Sequence, residues 1–365
     1  MCRPISKPFQ FSGEVEYSPV LIDRPSSGFY DQTMNLALER WKFLSNAERE
    51  TTARQLALRL PNGFSFLALN GQNAIFTFEF STFVLIQGGS FSLGFDAERP
   101  WSPTPDETES WEETAREYGF SESIHERVCA VTLRPRTMEL APFLVETDIR
   151  EFGWEAISAE DPEIVSLRKK YNFERGFQLC RGGVTIRVRQ DADGLVAAER
   201  SVSRTHAEVL ADLQQTGFRF PTPDEWEYLC GCGEPTLFRW GDHAPVDRYP
   251  TDLNTAEAEY RRRWALSAGR LAPPEGGFVR DWDLHIKPNS FGILIASNPY
   301  QYELMSEIGI TRGGDGGCTI CGGMGFFVGW LALATAYFEE QFCKHDPTKP
   351  IPAGYTFGRR VLDLR

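Results

Sequence analysis

The sequence predicts an α+β fold with little regular secondary structure. Three observations point there. Helix-periodic stretches are few, brief aromatic strand-like runs are many, and 32 glycines with 23 prolines punctuate them. With 365 residues and 41% hydrophobic content, the chain can build one large domain or two ordinary ones.

Residues 1 to about 30 are rich in Pro, Ser and Gly and read as an irregular arm. Residues 31–60 read as helical. Leu36, Leu38, Trp41 and Leu44 fall near helical spacing, and Ser45-Asn-Ala-Glu48 forms a capping box. Residues 63–69 and 74–80 alternate as two strands about Asn70-Gly71. A change of composition near residue 80 divides an N-terminal accessory subdomain, 1–80, from a main domain, 81–365. Residues 83–94 read as a strand, a Gly-Gly turn and a second strand. Residues 96–126 read as an acidic surface insertion with one short helix at about 109–117.

Residues 127–133 and 138–145 read as strands, and 147–152 as the start of a helix. Asp161-Pro162-Glu163 opens another helix, to about Lys170. Residues 184–189 alternate as a clean strand. Thr205-His-Ala-Glu208 opens a helix closed by Gly217, with His206 in its first turn facing solvent. Residues 252–282 are poorly patterned and read as surface loops. The apolar run 324–338 is shorter than the ~18 residues of a spanning helix and reads as buried core. A last strand lies near 355–364.

The most distinctive stretch is 218–242. Thr222 can cap a helix, Pro223 suits its first turn, and Glu225 completes the box. Trp226 and Leu229 then share a face, and Trp240-Gly241-Asp242 makes a turn.

The net charge is −13 and no basic block is present, which argues against nucleic acid or an anionic membrane as partner. Such acidity suits solubility, and it also suits a basic protein partner. The N-terminus lacks an apolar signal segment, so a cytoplasmic location and reduced thiols for the eight cysteines are expected.

The glycine-rich residues 312–325 carry Cys318-x-x-Cys321, a spacing open to a soft metal, a redox pair or two structural thiols. Cys230-x-Cys232 could complete a four-cysteine site, but one intervening residue is poor spacing for zinc. The five histidines form no H-x-x-H pattern. No nucleophile elbow and no phosphate loop occurs.

In order, the sequence around Pro221, Glu225, Trp226, Glu227, Trp240, Gly241 and Asp242 resembles the sulfatase-modifying-factor family, that of formylglycine-generating enzyme. Residues 83–94 and 141–148, Asn289 and Gly292, the Arg312-Gly313-Gly314 triplet and residues 358–361 are similar to further family markers. The resemblance covers about 83–365 and implies the family's variant of the C-type-lectin-like fold. It also implies a copper-dependent cysteine oxidase whose site here would be Cys318, Cys321 and Arg312. Two departures stand against that activity. The second copper cysteine is expected at Gly323, whereas this chain has Cys321. The calcium segment reads Ser297 to Tyr302, with Gln301 at the carboxylate position and Leu294 seven residues earlier; sliding to Glu303 brings in Ala296. Calcium requires oxygen ligands, so its loss is expected, and so is the absence of any resident cofactor. The resemblance therefore points first to a non-catalytic, protein-binding relative. Its most concrete form is an immunity protein that neutralises a basic effector toxin of bacterial type VI secretion.

Overall fold

The computed structural model describes residues 36–96, 101–171, 176–190, 196–246, 248–252 and 284–364. The arm expected over residues 1 to about 30, residues 31–35 of the helical stretch and nearly all of the loop segment 252–282 lie outside them.

Helices α1 (Leu38–Trp41) and α2 (Asn46–Ala57) lie in the stretch expected to be helical over 31–60. Ser45 starts the second. Its hydroxyl accepts from the Glu48 N–H at 3.3 Å, and its own N–H donates to the Glu48 carboxylate at 2.7 Å, which needs an extended residue. Strands β1 (Phe64–Asn70), β2 (Asn73–Phe78) and β3 (Ser81–Ile86) follow as an antiparallel meander. Strand β4 (Gly89–Leu93) turns away to a second sheet.

The acidic insertion is more ordered than its composition suggests. It forms α3 (Pro105–Tyr118) and α4 (Ile124–Val131). Residues 127–131 are thus helical, against the strand expected there. Ser123 and Glu126 form a capping box that starts α4 before the apolar residues begin. The strand expected over 138–145 is two, β5 (Arg136–Leu140) and β6 (Phe143–Glu146). Ala141-Pro142 separates them, since proline cannot donate to a ladder. In place of a helix at 147–152 stands the short strand β7 (Arg150–Glu151).

A peripheral unit follows, made of β8 (Trp154–Ile157), α5 (Pro162–Lys170), β9 (Gly176–Arg181), β10 (Val184–Gln190) and β11 (Val196–Ser201). Its sheet runs β8-β11-β10-β9, and Ile164 of α5 covers Ile186, Val188, Val196 and Ala198. The remaining elements are α6 (His206–Gln215), α7 (Pro223–Gly231), β12 (Tyr302–Leu304), β13 (Thr311–Arg312), α8 (Cys318–Gly322), α9 (Phe326–Leu331), α10 (Glu340–Cys343), β14 (Thr356–Gly358) and β15 (Val361–Asp363).

The principal sheet runs β1-β2-β3-β6-β15. It crosses the boundary expected at residue 80: β2 pairs with β3 from Ile75↔Val84 to Phe78↔Ser81. Phe64 and Phe78 stack at 4.6 Å and join Phe83 and Phe218 in one aromatic cluster with Leu362. Residues 64–78 therefore belong to the same layer as the main domain. A second core lies behind α7, around Trp226, Phe238, Phe327 and Trp330, each almost wholly buried. Residues 327–337 are buried throughout, as the apolar run predicts. Among the described residues, no helix is long and apolar enough to cross a membrane. The architecture is α+β, with several small sheets held by short helices and turns.

Candidate functional site around the glycine-rich turn

The 218–242 stretch builds the floor of the site. Thr222 caps α7, and Glu225 returns to the Thr222 N–H at 2.8 Å. The same carboxylate holds Arg219 through two bonds, at 2.6 and 2.7 Å, and Arg219 also reaches Asp363 of β15 at 2.7 Å. Glu225 thus joins a helix cap to the principal sheet. Two residues on, Glu227 is 3% exposed and takes Arg312 and Arg136, each at 2.8 Å. It also accepts from the Gly94 N–H at 2.5 Å. Asp224 completes the group by pairing with Arg136. Such charges are stable in a core only when paired and hydrogen-bonded.

Trp226 lies between these two glutamates and is 1% exposed. The Arg312 guanidinium, fully buried, sits 5.4 Å from its ring centre and 5.7 Å from that of Phe338. Gly313 follows at φ +94°, where a Cβ would come within 3.1 Å of Trp226. At Gly314 a Cβ would meet the Pro299 carbonyl at 2.4 Å. The Arg-Gly-Gly triplet is therefore a close backbone passage over the tryptophan. Arg312 faces the core here, and no surface of it is left for a substrate.

Asn289 ties the far end of α7 to the next turn. Its side-chain amide donates to the Leu229 carbonyl at 2.7 Å and its oxygen accepts from the N–H groups of Phe291 and Ile293. Gly292, at φ +80°, completes that turn. Pro221 accepts from the Ser306 N–H through its carbonyl, and Asp242 accepts from the Leu237 N–H at 3.1 Å. Trp240 is half-buried, stacked on Phe238 at 5.0 Å and edge-on to Trp330, with Gly241 at φ +139° beside it.

Cys318 and Cys321 lie one turn apart on α8. Asp315 starts that turn by accepting from the N–H groups of Gly317, Cys318 and Thr319 at 2.7 to 3.1 Å. Cys318 is a free, exposed thiol; burial of its neighbourhood and the adjacent Asp315 push it above its ordinary pKa, the reverse of an activated nucleophile. Tyr300 Oη lies 3.1 Å from the Cys321 sulfur.

Cys230 and Cys232 do not join them. Cys230 is fully buried with its thiol pushed up to about 12 by desolvation, and Cys232 ends α7 in the left-handed region. Among the described residues, no three His, Cys, Asp or Glu side chains come together as a metal group. The Glu303 carboxylate, the alternative to Gln301 in the calcium segment, is clasped by Arg359 at 2.6 and 2.7 Å. Arg359 further donates to the carbonyls of Glu146, Thr147 and Leu294. An internal guanidinium occupies this carboxylate, and Leu294 lends only its carbonyl.

The insertion roofs the turn. Thr114 of α3 accepts from the Gly325 N–H at 2.9 Å, Ser110 from the Phe327 N–H at 3.3 Å, and Tyr118 donates to the Gly322 carbonyl. The buried Glu107 accepts from the Ala244 N–H at 2.7 Å. The outer side of α3 leaves Asp106, Glu109, Glu112, Glu113 and Glu117 exposed, with Arg116 as its one exposed cation.

A cavity of ≈ 160 Å³ lies on the other side of β12 and β13, lined by His206, Tyr302, Thr311, His345 and the prolines of 347–352. His206 is 4% exposed, against the solvent position expected for it. Its Nδ1 accepts from the Gly309 N–H at 3.0 Å, which leaves Nε2 to donate to the Met305 carbonyl at 2.9 Å. Desolvation, with His345 nearby, holds its pKa below the ordinary value. Spacing gave no sign of this pair, because 139 residues of sequence separate positions whose meeting depends on β12 and β13.

No protein-family model matches this chain, and no curated protein matches it.

Proposed function

We propose that this chain is a non-catalytic, protein-binding relative of formylglycine-generating enzyme, built on a C-type-lectin-like scaffold. Its most concrete form is a cytoplasmic immunity protein that binds and neutralises a basic secreted effector toxin. One observation carries the reading. The turn that would hold the oxidase chemistry is roofed by α3, and that roof presents five exposed carboxylates to solvent. Charge of one sign on an ordered face speeds encounter with a partner of opposite charge. Among the described residues Cys129, Cys180, Cys230, Cys232, Cys318 and Cys343 are free, which fits a reducing compartment.

Co-expression with the toxic product of an adjacent gene tests this. Protection and a direct complex are expected. Glu112→Lys, Glu113→Lys and Glu117→Lys together should slow association about tenfold at low salt, with less effect at high salt. An association rate indifferent to both charge reversal and salt would exclude α3 as the binding face.

The second reading is a copper-dependent cysteine oxidase, favoured by the placement of Cys318 and Cys321 on one helical turn. It requires stoichiometric Cu(I) binding by the reduced protein that Cys318→Ser with Cys321→Ser abolishes. Unchanged toxin protection by that folded double variant would favour binding over oxidation.

A further inference from the structure

Three buried donors around Arg312 and Trp226 have no acceptor among the described residues: Arg312 Nε and Nη1, and the Trp226 indole N–H. Both side chains are almost wholly buried, so bulk water does not reach them. They belong to a single contact, with the guanidinium 5.4 Å from the indole centre. Buried polar groups in native proteins are nearly always bonded, to protein or to a small enclosed ligand.

The protein groups nearby are engaged. Glu227 Oε2 already receives Arg312 Nη2 and Arg136 Nη2, and Oε1 receives Gly94. The buried thiols of Cys230 and Cys343 stay protonated, pushed up to about 12 and about 11 by desolvation despite the field of Arg312. A protonated thiol is a weak acceptor. All three open groups are donors and two belong to a cation, so the fitting ligand accepts hydrogen bonds and tolerates positive potential. Its size is limited too. Gly313 brings the backbone so close that one added Cβ would lie 3.1 Å from the indole.

We infer that Arg312 and Trp226 hold a single-centre hydrogen-bond acceptor, a chloride ion or a water oxygen, as a fixed internal ligand of the fold. It fastens the glycine-rich turn to α7 from the inside. The oxidase and binding readings are both indifferent to it.

Two measurements test the inference. The first is a crystal grown in sodium bromide and measured on both sides of the bromine absorption edge. A peak within hydrogen-bond distance of Arg312 and the Trp226 indole nitrogen is expected. An anomalous peak identifies a halide, and one without anomalous signal identifies water. No peak, with these N–H groups turned onto protein acceptors, overturns the inference. The second is the Trp226 indole N–H resonance, assigned by its loss in Trp226→Phe. A hydrogen-bonded downfield shift and slow solvent exchange are expected, and a free-indole shift would overturn the inference without crystals. For a halide, the melting temperature also rises saturably with bromide at constant ionic strength, and Trp226→Phe loses that rise.

Discussion

At the residue scale, the chain places its charges according to burial. The exposed Glu50–Arg54 pair, 46% and 63% exposed, contributes under about 1 kcal/mol. Glu227 pairs with the fully buried Arg312 and the partly buried Arg136; Arg136 also holds Asp224, so removing Glu227 leaves Arg312 without a carboxylate among the described residues. Glu227→Gln should therefore lower stability by about 3 kcal/mol, read from the urea midpoint, whereas Glu50→Gln should leave it nearly unchanged. Histidine gives a pH signature. His206 is held below its ordinary 6.5 by desolvation, so the unfolded chain binds its proton first. The stability that its neutral form contributes is complete above pH 6.5 and declines as pH falls below it. Replacing His206 by Gln should flatten that slope, with the exposed His345, also lowered by desolvation, supplying what remains. Burial pushes the Glu146 carboxyl up, but Arg150 and Arg360 outweigh it and hold the group below its ordinary 4.5. Its contribution is lost only at pH values under 4.5, whereas that of His206 begins to fall already below 6.5. A denaturation series across pH that shows no slope between them would contradict this order.

Among the elements, capping boxes were the most readable signal. Those at Ser45, Thr205 and Thr222 start helices as their sequences require. Thr104-Pro-Asp-Glu107 and Ser123-Ile-His-Glu126 carry the same signal and start α3 and α4. The acidity of that region masked it, because surface composition says little about whether the opposite side of a helix is covered. In α3 the covered side is Ser110, Trp111 and Thr114. Ser110 and Thr114 meet the start of the apolar run, more than 200 residues away in sequence, and only the tertiary fold shows it. The contact is tight: a Cβ on Gly325 would lie 2.4 Å from Ser110 Oγ and 2.8 Å from its carbonyl. Gly325→Ala should lower stability by about 1–3 kcal/mol and speed alkylation of Cys318 as the roof lifts. An unchanged alkylation rate would separate α3 from any control over the turn.

On the scale of the whole molecule, the sequence showed which residues matter to the frame better than how the frame is divided. Trp226, Asn289 and the Arg-Gly-Gly triplet were legible from residue type and order. The partners of their charges were not: Arg136 and Arg359 meet Glu227 and Glu303 across long stretches of chain. Composition changes near residue 80, while hydrogen bonding continues across it from β2 to β3.

The pairing of β15 with β6 has a consequence for biosynthesis. Strand β6 gains its second neighbour, and Glu146 its partner Arg360, only after more than 200 further residues have been made. Until then Phe78, Phe83 and Phe218 have no Arg360 above them and no Leu362 beside them. A nascent chain therefore carries an open sheet edge and uncovered aromatic surface through most of translation, the condition in which association between incomplete chains is favoured. Ribosome-associated chaperones should matter more to the yield of this protein than its final stability would suggest.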